Sequence, residues 1–435
     1  MALRYAWYGD DFTGASDTLA TLAAGGARAL LFLHPPTEAQ RAAAGHLDAL
    51  GIAGISRALA PDAMAAELAP VARCFADLAP TITHYKCCST FDSAPVVGNL
   101  VTGTSILRRP EHDPVMAVFG GQPSLGRYCV FGNLFASAQA GGEVHRIDRH
   151  PTMRQHPVTP MQEADLRRHL GQLGQSAVGL VDLSVLDGAG SDVAGLQPAL
   201  DAALAHQPQA LLFDSTTSAH LKVLGKWLWQ RAARRPQLVL GASSVAQAAL
   251  AGWPGGLGMA PRGRSIAAAH APVFLLVGSQ SPVTAVQASR AADLFEQVFI
   301  DPGVLVNDDQ ALAAMANQCA DLLALGRPVM ARTRPPAAGC VPPLAVAQVC
   351  GRLLVQVLAR SPQVKRVGVA GGDTSSVALR ALGAWAVGWL GDFCPGVSLT
   401  QVHAKAPALD GLELMLKGGQ MGPPELFRQF LHGVP

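Results

Sequence analysis

The N-terminal run Leu3-Arg4-Tyr5-Ala6-Trp7-Tyr8-Gly9-Asp10-Asp11-Phe12-Thr13-Gly14-Ala15-Ser16-Asp17 sets an apolar segment against a helical one, with two adjacent carboxylates between them. Residues 3–8 read as a short buried strand, Thr13 or Ser16 can cap a helix after the turn, and 15–24 has the composition of that helix. Open α/β sheets bind ligands at such strand ends. Two carboxylates side by side repel unless a cation, a donor-rich substrate or water holds them. The plainer reading is that Asp10 and Asp11 only cap the helix and interact with its dipole.

Outward from this turn the same alternation recurs. Apolar runs at 29–33, 177–181, 210–213 and 238–240 are separated by longer Ala/Leu-rich helical patterns. Further on come strands at 273–277, 297–300 and 366–370, with helices from about 284 and over 345–359. This predicts an α/β protein, and 435 residues predict two α/β domains with mainly parallel sheets. The composition breaks at 252–272, where Gly, Pro and Arg give way to an Ala-rich connector. The expected domains are therefore 1–260 and 270–435, with hinge candidates at the break.

Hydrophobic residues make up 49% of the chain and charged residues 15%, with 45 Gly and 31 Pro, which suits a compact enzyme and not a disordered chain. The 33 basic and 31 acidic residues give a net charge of +2, so no global field draws nucleic acid or an anionic membrane. Eight cysteines show neither a disulfide framework nor a CxxC metal pattern. No leader and no long apolar run is evident, so a cytoplasmic protein is expected.

Three strand-to-loop transitions in the second half end in small residues. They are Gly278-Ser279-Gln280-Ser281, Gly371-Gly372-Asp373-Thr374-Ser375 and Lys417-Gly418-Gly419. Glycines let amides approach an anion, hydroxyls add donors and helix N-termini add partial positive charge, so together these loops suit a polyphosphate. Lys417 adds a full charge, and Asp373 either holds magnesium or caps its helix. Neither a Walker A sequence nor a GxGxxG fingerprint is present.

In the first half, Asp10-Asp11, Ser56-Arg57, Lys86 with Ser89, Thr90, Asp92 and Ser93, and the loop from Arg146 to His156 have the mixture that reads an anionic polyol. Arginine and lysine suit a carboxylate; hydroxyls and carboxylates suit sugar hydroxyls. The stretch 132–161 reads as one long ordered loop. The spacing of His145, Asp148, His150 and His156 fits no zinc site, so no protein metal site is expected.

These residues resemble the four-carbon acid sugar kinases, two-domain ATP-dependent enzymes that include 3-oxo-tetronate and threonate kinases. The likeness runs through Asp10-Asp11-Phe12-Thr13-Gly14-Ala15, Ser56-Arg57, Lys86 with Cys88-Ser89-Thr90-Phe91-Asp92-Ser93 and Gly98-Asn99. It continues through His156-Pro157-Val158-Thr159-Pro160-Met161, Gly278-Ser279 with Ser281 and Thr284, Gly371-Gly372-Asp373-Thr374-Ser375 and Lys417-Gly418-Gly419. Two departures stand out: Gln420-Met421 where relatives near the oxo-tetronate kinases read Asn-Phe, and Asp373 where they read Glu. The segment 148–154 resembles an insertion.

The resemblance implies a sugar-acid-binding first domain with Ser56, Arg57, Lys86, Ser89, Thr90, Asp92, Ser93, Arg149, His150 and His156 around the acid. It implies a nucleotide-binding second domain, ATP with Mg2+, and an active site in the interdomain cleft. Phosphoryl transfer to a terminal hydroxyl would use Asp11 as base, with Asp10 second, on 3-oxo-tetronate, threonate, erythronate or 3-oxo-isoapionate. A homodimer is compatible with this. The alternatives are a non-catalytic organic-acid-binding protein, which would not need the three loops, and a nicotinamide-dependent dehydrogenase, whose glycine fingerprint is missing.

Overall fold

The computed structural model describes residues 3–138, 141–156, 158–190, 192–257, 265–334 and 341–434, with the backbone alone at 343, 373 and 376. The chain divides into two compact units, Met1–Pro261 and Arg262–Pro435. Residues 258–264 of the composition break at 252–272 lie outside the described residues.

The first unit contains β1 (Tyr5–Gly9), β2 (Ala29–Phe32), β3 (Ala49–Ala53), β4 (Ile82–Lys86), β5 (Met116–Phe119), β6 (Arg127–Val130), β7 (Asn133–Ser137), β8 (Val144–Arg146), β9 (Val178–Val181), β10 (Ala210–Phe213) and β11 (Gln237–Gly241). Eight of these lie side by side in the order β2-β3-β1-β4-β11-β5-β10-β9, every pairing parallel. Helices cover a parallel sheet on both faces, so its strands read as unbroken apolar runs. All five residues of β1 are buried, Tyr5, Trp7 and Tyr8 among them. The Trp7 indole donates to Ala15 O at 3.2 Å, and Tyr5 Oη meets His84 Nδ1 at 2.7 Å, so burial leaves neither of these groups unsatisfied. Gly51 on β3 faces Trp7 in register, and a Cβ there would overlap the indole.

The chain leaves β1 toward β3 on one side and returns to β4 on the other, which makes the β1/β4 boundary the switch point of the sheet. The carboxyl ends of strands at such a point form the crevice in which α/β proteins bind ligands. The stretch expected as a single loop at 132–161 is instead partly folded. β6, β7 and β8 form a three-stranded antiparallel sheet, and two 3-10 turns come after it, Ile147–Arg149 and Met153–Gln155. Its short strands were hidden because polar residues alternate with apolar ones over only three to five positions.

The second unit contains β12 (Phe274–Val277), β13 (Glu296–Ile300), β14 (Val329–Thr333), β15 (Arg366–Ala370), β16 (Ala384–Cys394), β17 (Val397–Ala404) and β18 (Glu413–Lys417). Their order is β13-β14-β12-β15-β18-β17-β16. The pairings from β13 to β18 are parallel, whereas β17 runs antiparallel to β16 and β18. One core face gathers Leu275, Val277, Met330, Met415, Phe427 and Phe430. Burying each such side chain contributes about 2 kcal/mol relative to leaving it in water.

Candidate active site

In the first unit three neighbouring strand ends converge. Asp10 follows β1, Arg57 lies in the 3-10 turn after β3, and Lys86 closes β4. Backbone hydrogen bonds lock them: Asp10 N donates to Lys86 O at 3.0 Å and Arg57 N to Asp10 O at 3.1 Å. Arg57 grips Asp10 bidentately, Nε to Oδ2 at 3.1 Å and Nη2 to Oδ1 at 2.7 Å, and its Nη1 lies 2.9 Å from Asp11 Oδ2. The cation that two adjacent carboxylates require is thus built into the chain. Arg57, expected to read a substrate carboxylate, gives its donors to Asp10 and Asp11.

The two aspartates are not equivalent. Asp10 is 1% exposed, and burial raises its carboxyl against the pull of Arg57. Asp11 is the N-cap of the helix Phe12–Ala24 and accepts from Gly14 N at 2.8 Å, so the cap falls two residues before Thr13. Its side chain keeps 32% exposure. Burial pushes its carboxyl up, but Arg57, Lys86 and the Gly14 amide outweigh that and hold it below the usual carboxylate range. Lys86 is 4% exposed, and its ammonium sits so close over Gly14 that a Cβ there would overlap Nζ. Burial opposes its charge, and Asp11 and Asp10 more than restore it.

The loop after β4 carries the next group. Thr90 Oγ1 donates to Asp92 Oδ1 at 2.5 Å, and Thr159 Oγ1 reaches Asp92 Oδ2 at 3.4 Å and His156 Nδ1 at 3.0 Å. Cys88 ties this group to the first one: its thiol lies within electrostatic reach of Asp92, Arg57 and Lys86, and burial pushes it up to about 11. The thiol is therefore protonated at neutral pH and no nucleophile. Ser89 stands half-buried on the same loop.

Other expected binding residues are engaged elsewhere. Ser56 is buried against Tyr85 Oη at 2.9 Å, and Ser93 Oγ meets Phe91 O and His169 Nε2, each at 2.8 Å. His150 is buried and accepts from the amides of Thr152 and Met153 at 3.2 Å, while burial lowers its basicity. These three hold loop shape. Arg149 is 72% exposed and lies 3.8 Å from Asp148. Pro157 of the His-Pro motif lies outside the described residues.

In the second unit the three small-residue loops follow β12, β15 and β18, which are neighbours in the sheet. The amides of Gly278, Ser279 and Gly371 do not point outward as anion donors. They extend the ladder one step past the strand ends, Gly278 N and Ser279 N to Ala370 O at 2.9 and 3.0 Å and Gly371 N to Lys417 O at 2.9 Å. What glycine supplies is space. A Cβ on Gly278 would overlap Thr374 Oγ1, and one on Gly419 would lie 2.7 Å from Ser279 Oγ. Gly371, with φ 133° and ψ 131°, precedes the helix Gly372–Ala381, which has no side-chain cap. Thr374 and Ser375 are buried in its first turn, and the Asp373 side chain lies outside the described residues.

Lys417 is placed differently from expectation. It is 1% exposed, with its ammonium beneath the loop, donating to Thr284 Oγ1 at 2.7 Å and to Gly419 O at 3.4 Å. Burial brings it down to about 8. Thr284 is a hub that sequence reasoning left out of the nucleotide site: it also donates to Gly419 O at 2.8 Å, and Ser281 Oγ donates to the same carbonyl. Its place three residues after the capping Ser281 was the available signal.

The donor set of these loops fits a polyphosphate: an uncapped helix N-terminus, hydroxyls and a buried ammonium around walls too tight for larger side chains. Among the described residues no three His, Cys, Asp or Glu side chains cluster to hold a metal ion. Among them too, no helix is long and apolar enough to cross a membrane.

Residues 5–249 match the family described as "Sugar-binding N-terminal domain", and residues 274–427 the one described as "Nucleotide-binding C-terminal domain". The chain is 35% identical to a 3-oxo-isoapionate kinase of Paraburkholderia graminis, over 99% of this chain and 94% of that one. It is 29% identical to a 3-oxo-tetronate kinase of Methylobacterium radiotolerans, over 99% of each. Crystal structures from Salmonella typhimurium LT2 and Haemophilus influenzae share the fold, with TM-scores of 0.79 and 0.78 at 23% and 22% identity, over 98% of each chain. The family models and the kinase relatives make this a two-domain sugar-acid kinase that uses ATP. The chain belongs to the four-carbon acid sugar kinase family, with its paired sugar-binding and nucleotide-binding domains.

Proposed function

We propose that this kinase transfers the γ-phosphoryl group of magnesium-bound ATP to a terminal hydroxyl of a short 3-oxo sugar acid, with 3-oxo-isoapionate the first candidate. The first unit takes the acid and the second the nucleotide. The observation that carries the reading is Asp11, an ionised, partly exposed carboxylate fixed at a sheet switch point by Arg57 and the Gly14 amide.

Asp11 orients the substrate hydroxyl and accepts its proton as the bond from oxygen to the γ-phosphorus forms and the bond to the β-phosphate oxygen breaks, leaving ADP and the phosphorylated acid. A lowered carboxyl suits this role: in a loose phosphoryl-transfer transition state the proton leaves late, so alignment and charge count for more than basicity. Asp10 holds Arg57, and Arg57 holds Asp11. Thr90, Asp92, Thr159 and His156 supply donors and acceptors for the acid's other hydroxyls. The uncapped turn at Thr374 and the Lys417 charge beneath the Gly418-Gly419 loop steady the phosphates. Magnesium bound with the nucleotide would supply charge neutralisation.

A binding protein without chemistry would have no use for the loops after β12, β15 and β18. We assign the reaction to the cytoplasm, where ATP is made, and leave a homodimer to sedimentation.

The test is ADP release, coupled to a reporter enzyme, across 3-oxo-isoapionate, 3-oxo-tetronate, threonate and erythronate. Turnover with a 3-oxo acid at least about tenfold above the others is expected; no acid-dependent ADP release with any of them would refute the proposal.

A further inference from the structure

A sugar acid brings a carboxylate, and the cations near the site are mostly engaged. Arg57 is taken up by Asp10 and Asp11, Lys86 lies among the same two carboxylates, and Arg146 is paired bidentately with Asp148 at 2.6 to 2.7 Å. Arg127 differs from these. Its backbone is fixed by reciprocal hydrogen bonds with Gln122 at 2.9 and 3.2 Å and by the pairing of β6 with β7 opposite Ala136. Its guanidinium is anchored at one corner, Nη1 donating to Leu125 O at 2.5 Å. Its Nε–H is buried and meets no acceptor among the described residues. Burial lowers its basicity, and the group acting on its charge is the Cys88 thiol, not a carboxylate. It also lies within electrostatic reach of His150.

A half-desolvated guanidinium with a buried, unsatisfied Nε–H and, among the described residues, no carboxylate bridged to it is costly to keep unless an anion completes it. Gln122, bonded to Arg127 through both backbone groups, donates from its side-chain amide to Asp17 Oδ2 at 3.3 Å on the helix that Asp11 caps, and the Cys88 thiol lies within electrostatic reach of Arg127 as of Arg57, Lys86 and Asp92. We propose that Arg127 is the specificity residue that reads the carboxylate of the sugar acid, at the end of the molecule away from the hydroxyl that Asp11 engages. The assignment rests on the sugar-acid reading above. It divides the labour of the cations: Arg57 and Lys86 hold the reacting end, and Arg127 selects acids over neutral sugars through a charge-assisted pair.

The experiment compares wild type, Arg127→Met and Arg127→Lys on two substrates, the best acid of the panel and its analogue with the carboxylate reduced to a primary alcohol. In wild type, kcat/KM should favour the acid by about 30-fold or more, the size of a lost charged hydrogen bond. Arg127→Met should lose that preference through KM for the acid, with the alcohol analogue and KM for ATP unchanged, and Arg127→Lys should restore part of it. Equal loss on acid and alcohol would mean a merely structural role and overturn the assignment, as would an unchanged KM for the acid in Arg127→Met. Absence of acid turnover in the wild type is a different failure, since it removes the sugar-acid reading and the Arg127 assignment together.

Discussion

Arg57 joins a buried carboxylate, Asp10, to a partly exposed one, Asp11, so its removal should act on both. Arg57→Leu leaves Asp10 uncompensated at 1% exposure, and breaking a buried pair from one side costs about 3–5 kcal/mol, which urea unfolding would register. Asp11→Asn isolates charge from architecture, because asparagine also caps a helix. Turnover should fall by about 100-fold or more with KM for ATP unchanged, in steady-state assays. Since the Asp11 carboxyl sits below its ordinary range, its share of folding stability is present above about pH 4 and lost only as pH falls through the lowered folded value. The aspartate pair was legible from the sequence because two carboxylates at a strand end are conspicuous. Which of them is gripped bidentately and buried and which keeps an exposed side was not, since that depends on Arg57, which is 47 residues away from Asp10 in the chain.

At the scale of elements, the loops after β12, β15 and β18 lie together because their strands are adjacent and linked by backbone bonds past their ends, and Thr284 and Lys417 tie the first loop to the third from below. Lys417 makes that arrangement sensitive to pH. Its folded value of about 8 lies below the ~10.4 of an unfolded lysine. The free protein should therefore gain stability as pH rises from about 8 to ~10.4, while nucleotide affinity falls over pH 7 to 9 as the ammonium is lost. Calorimetric titration of a non-hydrolysable ATP analogue would show that fall in wild type and a weak, flat profile in Lys417→Met. Gly278→Val drives a side chain into Thr374, so KM for ATP should rise about tenfold or more while dissociation of the acid, followed by fluorescence, stays unchanged. The glycines announced these loops in the sequence, but their use did not show: three amides expected to face an anion instead prolong the sheet ladder. The β16–β17 hairpin was also hidden. Its strands join through Pro395-Gly396, and the sequence there reads as one more turn among many.

For the whole molecule, alternating apolar runs and helical patterns were enough to read two α/β halves, because most of the parallel strands in both units are buried apolar runs. The small sheet of β6, β7 and β8 escaped that reading, and with it Arg127, since neither is part of an apolar run. The function follows from bringing an acid and a triphosphate to one carboxylate. A crystal structure with a non-hydrolysable ATP analogue and the preferred acid tests this directly. The account predicts a triphosphate along residues 278–281, 371–375 and 417–419, with the acid's reacting hydroxyl on Asp11 and the γ-phosphorus in line beyond it. A nucleotide bound elsewhere, or an acid whose hydroxyls leave Asp11 untouched, would contradict it.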